Sequence, residues 1–218
     1  MRIAIDGPAG AGKSTIARMI AERLGLLYID TGAMYRALTY MVLANNVDPN
    51  NEKQIAELIK KFDFEIRSDE IFLAGQNITR KIREPEVTAN VSLVASHFAV
   101  RQALVDLQKQ IAQQDNVVMD GRDIGTCVMP DADLKIFLKA SVKERARRRA
   151  LELARRGFSF KLEEIEEQIR ERDTKDSNRE ISPLRKAEDA FEIDTTDLTI
   201  EEVVEQVLLL CARGKTNV

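Results

Sequence analysis

Positive charge is not in excess in this chain: 33 lysines and arginines stand against 36 aspartates and glutamates, for a formal net charge of -3. A dedicated nucleic-acid binder is normally basic, so no nucleic-acid partner is expected. Cysteine is scarce. Cys127 and Cys211 lie far apart and form no Cys-x-x-Cys pair, which argues against a disulfide framework and against a cysteine zinc site. No apolar run approaches the length of a membrane span, so no membrane partner is expected. Met1 leads straight into a strand-like run and leaves no room for a signal peptide, from which a cytoplasmic location is expected. Histidine occurs once, and His97 reads as a surface or hydrogen-bonded helix residue rather than a catalyst. Internal repeats and low-complexity linkers are also missing, so extra parts are inserted into one domain rather than strung after it.

What is present begins at the N-terminus. Gly7-Pro-Ala-Gly-Ala-Gly-Lys-Ser14 is a complete Gly-x4-Gly-Lys-Ser loop that follows the apolar run Arg2-Ile-Ala-Ile-Asp6. Gly7, Gly10 and Gly12 allow left-handed backbone and let N–H groups approach an anion. The next stretch places Ile16, Met19, Ile20 and Leu24 on one helical face, so the anion meets the positive end of a helix. Lys13 then supplies a charge to β- and γ-phosphates, and Ser14 a hydroxyl for Mg²⁺.

Short apolar runs that end in polar or acidic residues recur: Ile3 to Asp6, Leu26 to Asp30, Val117 to Asp120, Leu134 to Leu138 and Phe191 to Asp194. Helical patterns separate them, which predicts an α/β fold with a parallel sheet flanked by helices. Thr199-Ile-Glu-Glu202 is a capping box for a last helix whose apolar stripe includes Ile200, Val203, Val204, Val207, Leu208 and Cys211. From Asp63 to Ile78, polar and apolar residues alternate around a Ser-Asp-Glu turn and the Gly75-Gln76-Asn77 turn, which predicts a small antiparallel insert. Val142 to Arg179 reads as two charged helices joined by a mobile hinge at Gly157-Phe-Ser-Phe160.

A phosphate loop serves switches, motors and kinases alike. A guanine-nucleotide switch would also carry Asn/Thr-Lys-x-Asp and Asp-x-x-Gly motifs, and neither occurs. Instead arginines stand beside strand ends: Arg36, Arg101, Arg122, Arg172 and Arg179. A phosphoryl acceptor that is itself a phosphate ester needs such groups, because two polyanions must be brought together. Arg122 follows a buried strand in a glycine-flanked turn, where sheets of this kind bind ligands. Arg147, Arg155 and Arg156 interleave with glutamates and read as solvated. Asp120 closes the third apolar run, where it either supports a Mg²⁺ shell from the second sphere or caps the Asp-Gly turn. Cys127 reads as a small packing residue close to the arginine turn.

The loop, Asp30-Thr-Gly-Ala-Met-Tyr-Arg36, Asp120-Gly-Arg-Asp-Ile-Gly-Thr126, and Glu171-Arg-Asp with Asp176-Ser-Asn-Arg179 and Pro183-Leu184 together resemble bacterial cytidylate kinases from end to end. The resemblance implies a nucleoside monophosphate kinase fold. Its core would be 1–35 with 102–141 and 180–218, its acceptor-binding part 36–101 with the β insert, and its arginine-bearing lid 142–179. It implies that ATP is held by Gly7, Pro8, Ala9, Gly10, Ala11, Gly12, Lys13, Ser14 and Thr15, with Mg²⁺ on Ser14 and Asp120 in support. Arg36, Arg122 and Arg179 would hold the acceptor phosphate, Ser92, Arg101 and Asp123 the cytosine edge, and Arg172 and Asp176 the sugar. Thr31 stands where relatives often have serine and would offer the same hydroxyl contact. Lys13, Arg122 and Arg179 would carry catalysis on CMP, and on dCMP too, in pyrimidine metabolism, by a monomer. Cytosine offers a donor at N4 and acceptors at N3 and O2, which a carboxylate and a guanidinium complement. The rival readings are a kinase of another small acceptor, such as UMP or shikimate, and a nucleotide-binding regulator that docks nucleic acid through the Arg145–Arg156 run.

Overall fold

The computed structural model describes residues 1–67, 70–113, 116–155, 157 and 159–214. Two compact units emerge, Met1–Ile29 with Ala112–Val218, and Asp30–Ile111. Residues 30–35 and 102–111, read from the sequence as core, therefore fall in the second unit.

The first unit is built on β1 (Arg2–Asp6), β2 (Leu27–Asp30), β6 (Val117–Gly121), β7 (Leu134–Lys139) and β8 (Phe191–Asp194), in the order β2-β6-β1-β7-β8. Pairing is parallel at β1–β6, β1–β7 and β7–β8, as the continuous apolar runs require of strands covered on both faces. Registers Asp6↔Gly121 and Asp6↔Phe137 bring three strands to a common carboxyl edge. Central position and full burial go together: Ile3, Ala4 and Ile5 are inaccessible to solvent. Helices α1 (Lys13–Leu24) and α8 (Ile200–Gly214) cover one core, in which Ile16, Ile20, Val203, Val204, Val207 and Cys211 meet Ile3, Ile5 and Val118. Truncating such a residue to alanine costs roughly 2–5 kcal/mol. The capping box forms as expected, with Thr199 N–H donating to Glu202 and Glu202 N–H to Thr199 Oγ1. Val142 to Arg179 folds as α6 (Val142–Arg155) and α7 (Leu162–Asn178), joined by an apolar seam of Ala146, Ala150, Ile165 and Ile169. Of the proposed hinge, Phe158 lies outside the described residues, as does the neighbouring Arg156.

The second unit contains α2 (Thr31–Ala44), α3 (Glu52–Ile59), α4 (Pro85–Val94) and α5 (Phe98–Ala112), with an antiparallel sheet of β3 (Phe64–Arg67), β4 (Glu70–Leu73) and β5 (Gln76–Asn77). Alternation in the sequence becomes register here: Ile66 pairs with Ile71 and Phe64 with Leu73, putting Phe64, Ile66, Ile71 and Leu73 over Ala33 and Ala37 of α2. Ser68 and Asp69 of the expected Ser-Asp-Glu turn lie outside the described residues. Among the described residues no helix is long and apolar enough to cross a membrane.

Candidate functional site

The loop between β1 and α1 owes its path to contacts that only glycine permits at its first residue. A Cβ on Gly7 would lie 2.1 Å from the Leu138 carbonyl oxygen, and its φ of +149° excludes other side chains as well. Loop carbonyls are engaged from outside the loop. Ala9 O accepts from the Arg145 guanidinium at 3.1 Å and Ala11 O from Thr195 Oγ1 at 3.2 Å, while Lys13 Nζ folds back to Pro8 O at 2.8 Å. Helix α1 begins at Lys13 with Gly12 as its N-cap, no side chain capping the first turn and no acid in that turn. Such an end suits an anionic ligand.

Ser14 and Asp120 come together although 106 residues separate them. Ser14 Oγ donates to Asp120 Oδ2 at 2.9 Å, and Tyr28, which sequence reasoning did not single out, donates its hydroxyl to Oδ1 at 2.8 Å. Asp120 is buried at the end of β6. One hydroxyl and one carboxylate are oxygen donors of the kind Mg²⁺ takes when phosphate and water complete its shell. The residues therefore fit that ion.

Arg122, Arg172, Asp176 and Arg179, all in the first unit, form one charge cluster. Arg122 Nε donates to Asp176 Oδ2 at 2.9 Å, and Arg179 lies 3.9 Å from Asp176 Oδ1 while its Nε holds the Ser182 carbonyl. Burial pushes the Asp176 carboxyl up, but the charges of Arg122, Arg172 and Arg179 outweigh it and leave its pKa below the usual value. Asp123 is 2% exposed and opens a single π-helical turn, Ile124–Val128, closed by Val128 N–H donating to Asp123 O at 3.3 Å and Met129 N–H to Ile124 O at 2.7 Å. Cys127 itself is half-buried, and its thiol lies beside the Thr126 hydroxyl at 3.6 Å.

Thr31, Arg36, Ser92 and Arg101 belong to the second unit. Asp30 caps α2 by accepting from Ala33 N–H, and its other oxygen accepts from Arg36 at 2.9 Å. Arg36 Nε is buried with no hydrogen-bond partner among the described residues. Thr31 is buried beside that cap, and Ser92 is half-buried on α4. Arg101 is 2% exposed, its guanidinium 5.0 Å from the centre of the Tyr35 ring. His97 stands at the corner between α4 and α5 rather than in a helix, with Nε2 2.7 Å from Pro49 O.

Two groups of the first unit have shifted acidity, both at the carboxyl edge of the sheet. Lys13 is buried, and burial first, then the Arg122 and Arg172 charges, lower its pKa to about 7 against the pull of Asp120 and Asp6. Asp6 moves the opposite way, raised by burial to about 7 although the Ile124 and Gly125 amides and Lys13 favour its charged form. The lysine of the loop thus feels the arginines assigned to the acceptor. Asp6 is a second residue that sequence reasoning passed over; its one visible signal is its place at the end of a strand entering the loop.

The arginines of α6 divide. Arg147 is exposed and pairs with Glu144, as expected of a solvated residue, and Arg155 is exposed too. Arg145 is buried, bonding Ala140 O, Ala9 O and Asp173, and Arg148 bonds Thr195.

Strand order and loop together define a phosphate-loop α/β nucleotide-binding protein. Shikimate kinase from Bacteroides thetaiotaomicron shares the fold at a TM-score of 0.53 and 15% identity, covering 97% of this chain and 98% of that one. Shikimate kinase from Acinetobacter baumannii, solved with shikimate, does so at 0.51 and 16%, covering 98% and 94%. The family follows from sequence. The chain belongs to the cytidylate kinase family, whose model matches residues 3–213. It is 53% identical over 216 residues to a cytidylate kinase of Bacillus cytotoxicus, covering 97% of this chain and 96% of the relative. A cytidylate kinase of Bacillus thuringiensis is 53% identical over 210 residues, covering 94% and 93%.

Proposed function

We propose that the protein transfers the γ-phosphoryl group of ATP to CMP, and to dCMP as well, with Mg²⁺. The observation that supports this reading most is the closeness of the loop lysine to the acceptor arginines: Arg122 and Arg172 are among the charges that act on Lys13. A phosphate oxygen of the acceptor attacks the γ-phosphorus, the bond from that phosphorus to the β–γ bridging oxygen breaks, and ADP leaves with the released charge. No strong base is needed at the attacking oxygen, which is already anionic. Lys13 counters charge on the β- and γ-phosphates, while Arg36, Arg122 and Arg179 hold the acceptor phosphate. Ser14, backed by Asp120, would hold Mg²⁺, which would supply positive charge against the phosphates. Asp176 fixes the Arg122 guanidinium, so the side chain is oriented before substrate arrives. Asp123 accepts from cytosine N4, and Ser92 and Arg101 complete the base contact.

A coupled ADP-release assay with CMP, dCMP, UMP and shikimate tests the reading. Turnover with CMP and dCMP well above the other two is expected. Equal or greater turnover with shikimate, or none with CMP, would overturn it.

A further inference from the structure

We propose that Asp6, at the end of β1, is a positioning residue for acceptor choice: it fixes the Arg122–Asp123 turn without touching substrate. This rests on the reading of Asp123 as the residue that meets the cytosine amino group. Asp6 Oδ1 accepts from Ile124 N–H at 2.9 Å and Oδ2 from Gly125 N–H at 2.7 Å. Two consecutive amides gripped by one carboxylate leave neither peptide plane free to rotate, and Asp123 is joined directly to the first of them. Water cannot substitute for the grip, because Asp6 is 4% exposed and Asp123 2%. Space is equally tight on the other side. A Cβ on Gly125 would touch Asp6 Oδ2 at 3.4 Å and press on Lys135 Cδ at 3.2 Å, so a side chain there would have to push the lysine stem or the turn aside by a few tenths of an ångström.

Asp6 also precedes Gly7 in the chain, so one residue anchors the acceptor turn by its side chain and enters the donor loop by its backbone. Asparagine in the same space would keep the volume. It could accept from one amide through Oδ1, but would turn Nδ2 toward the other, setting donor against donor. Burial raises the pKa of Asp6, so its charged form is held there at an electrostatic cost. Asp123 opposes its charge and Lys13 of α1 favours it, while Lys135 of β7 brings its stem alongside Gly125 and its ammonium to Asp189 and Pro130 O.

The test compares wild type, Asp6→Asn, Gly125→Ala and Asp123→Asn, with CMP and UMP as acceptors at saturating ATP. Asp6→Asn and Gly125→Ala are each expected to lower kcat/KM for CMP by about tenfold, mainly through KM, and to shrink the CMP:UMP ratio as Asp123→Asn does. Hydrogen exchange in peptides spanning 120–128 should quicken in both. A purely structural role would lower both acceptors together and leave the ratio unchanged, which would overturn the proposal. If Asp123→Asn narrows the ratio while folded Asp6→Asn does not, the base-reading assignment stands and the role of Asp6 falls. An unchanged ratio in Asp123→Asn removes the assignment and the proposal with it. Gly125→Ala decides the matter by the same outcomes if Asp6→Asn does not fold.

Discussion

Lys13 should bind a proton when ATP binds. In the empty protein its ammonium is buried and donates to the Pro8 carbonyl, and burial first, then the Arg122 and Arg172 charges, lower its pKa to about 7. At pH 8 only about one molecule in ten then carries the charge. A polyphosphate beside Nζ reverses the local field and restores an ordinary lysine, so binding draws in about 0.9 proton at pH 8. Apparent ATP affinity should weaken by about tenfold for each pH unit above 7. Stability follows the same linkage. A depressed lysine contributes stability that is present above its unfolded value near 10.5 and is lost as pH falls through 7, a cost on the order of 5 kcal/mol in the empty protein at low pH. Titration calorimetry at pH 8 in buffers of different ionisation enthalpy reads the proton count, because the terminal phosphate of ATP is fully ionised there. Lys13→Met should lose the uptake, whereas Asp6→Asn should keep it. No uptake by wild type, or equal uptake by Lys13→Met, would refute the reasoning.

Other consequences can be checked on the same protein. Lys13→Ala should lose most turnover yet stay folded, since the charge it removes matters most in the transition state; steady-state kinetics with a thermal melt reads both, and near-normal kcat would dismiss the assignment of the loop. Protection around residues 145–161 should rise in hydrogen exchange when an ATP analogue and CMP are added together, as the α6–α7 arginines gain anionic partners. Asp6 has the opposite linkage to Lys13: its raised pKa gives stability that is present below 3.8 and lost as pH rises through about 7. Urea unfolding from pH 5 to 8 should therefore show wild type losing ground to Asp6→Asn by about 2.5 kcal/mol, and parallel curves would contradict it.

What could be read from the sequence was whatever has a period or a fixed spacing. Four of the five strands of the parallel sheet carry contiguous apolar residues, the insert alternates, and Thr199 with Glu202 closes a capping box, so each signal lies inside one element. The loop is legible for the same reason. Pairings over long separations were not. Nothing local marks Asp6 as the partner of amides 118 and 119 residues away, nor Tyr28 as the partner of an acid 92 residues on. Charge density misled in one place: α6 looks like a uniform run of arginines, but Arg145 lies on its inner face and Arg147 on its outer one, a difference that depends on what the helix packs against.

That inner face bears on how the loop works. A backbone that is to offer N–H groups to phosphate must send its carbonyls elsewhere, and a buried carbonyl without a donor is costly. Here the donors come from the α6 and β8 side. Arg145 serves Ala9 O and reaches Asp173 on α7 with the same guanidinium, and Arg148 holds Thr195, whose hydroxyl serves Ala11 O. Asp173 follows Arg172 directly and Asp176 lies one turn further along α7. A shift of α7 that moved the sugar- and phosphate-assigned residues would therefore strain a bond chain ending on the donor loop. Through Arg145 the phosphate loop is braced by the same helix that carries Arg172 and Asp176, the residues proposed for the acceptor, so on that reading binding of one substrate would be felt at the other without the two touching.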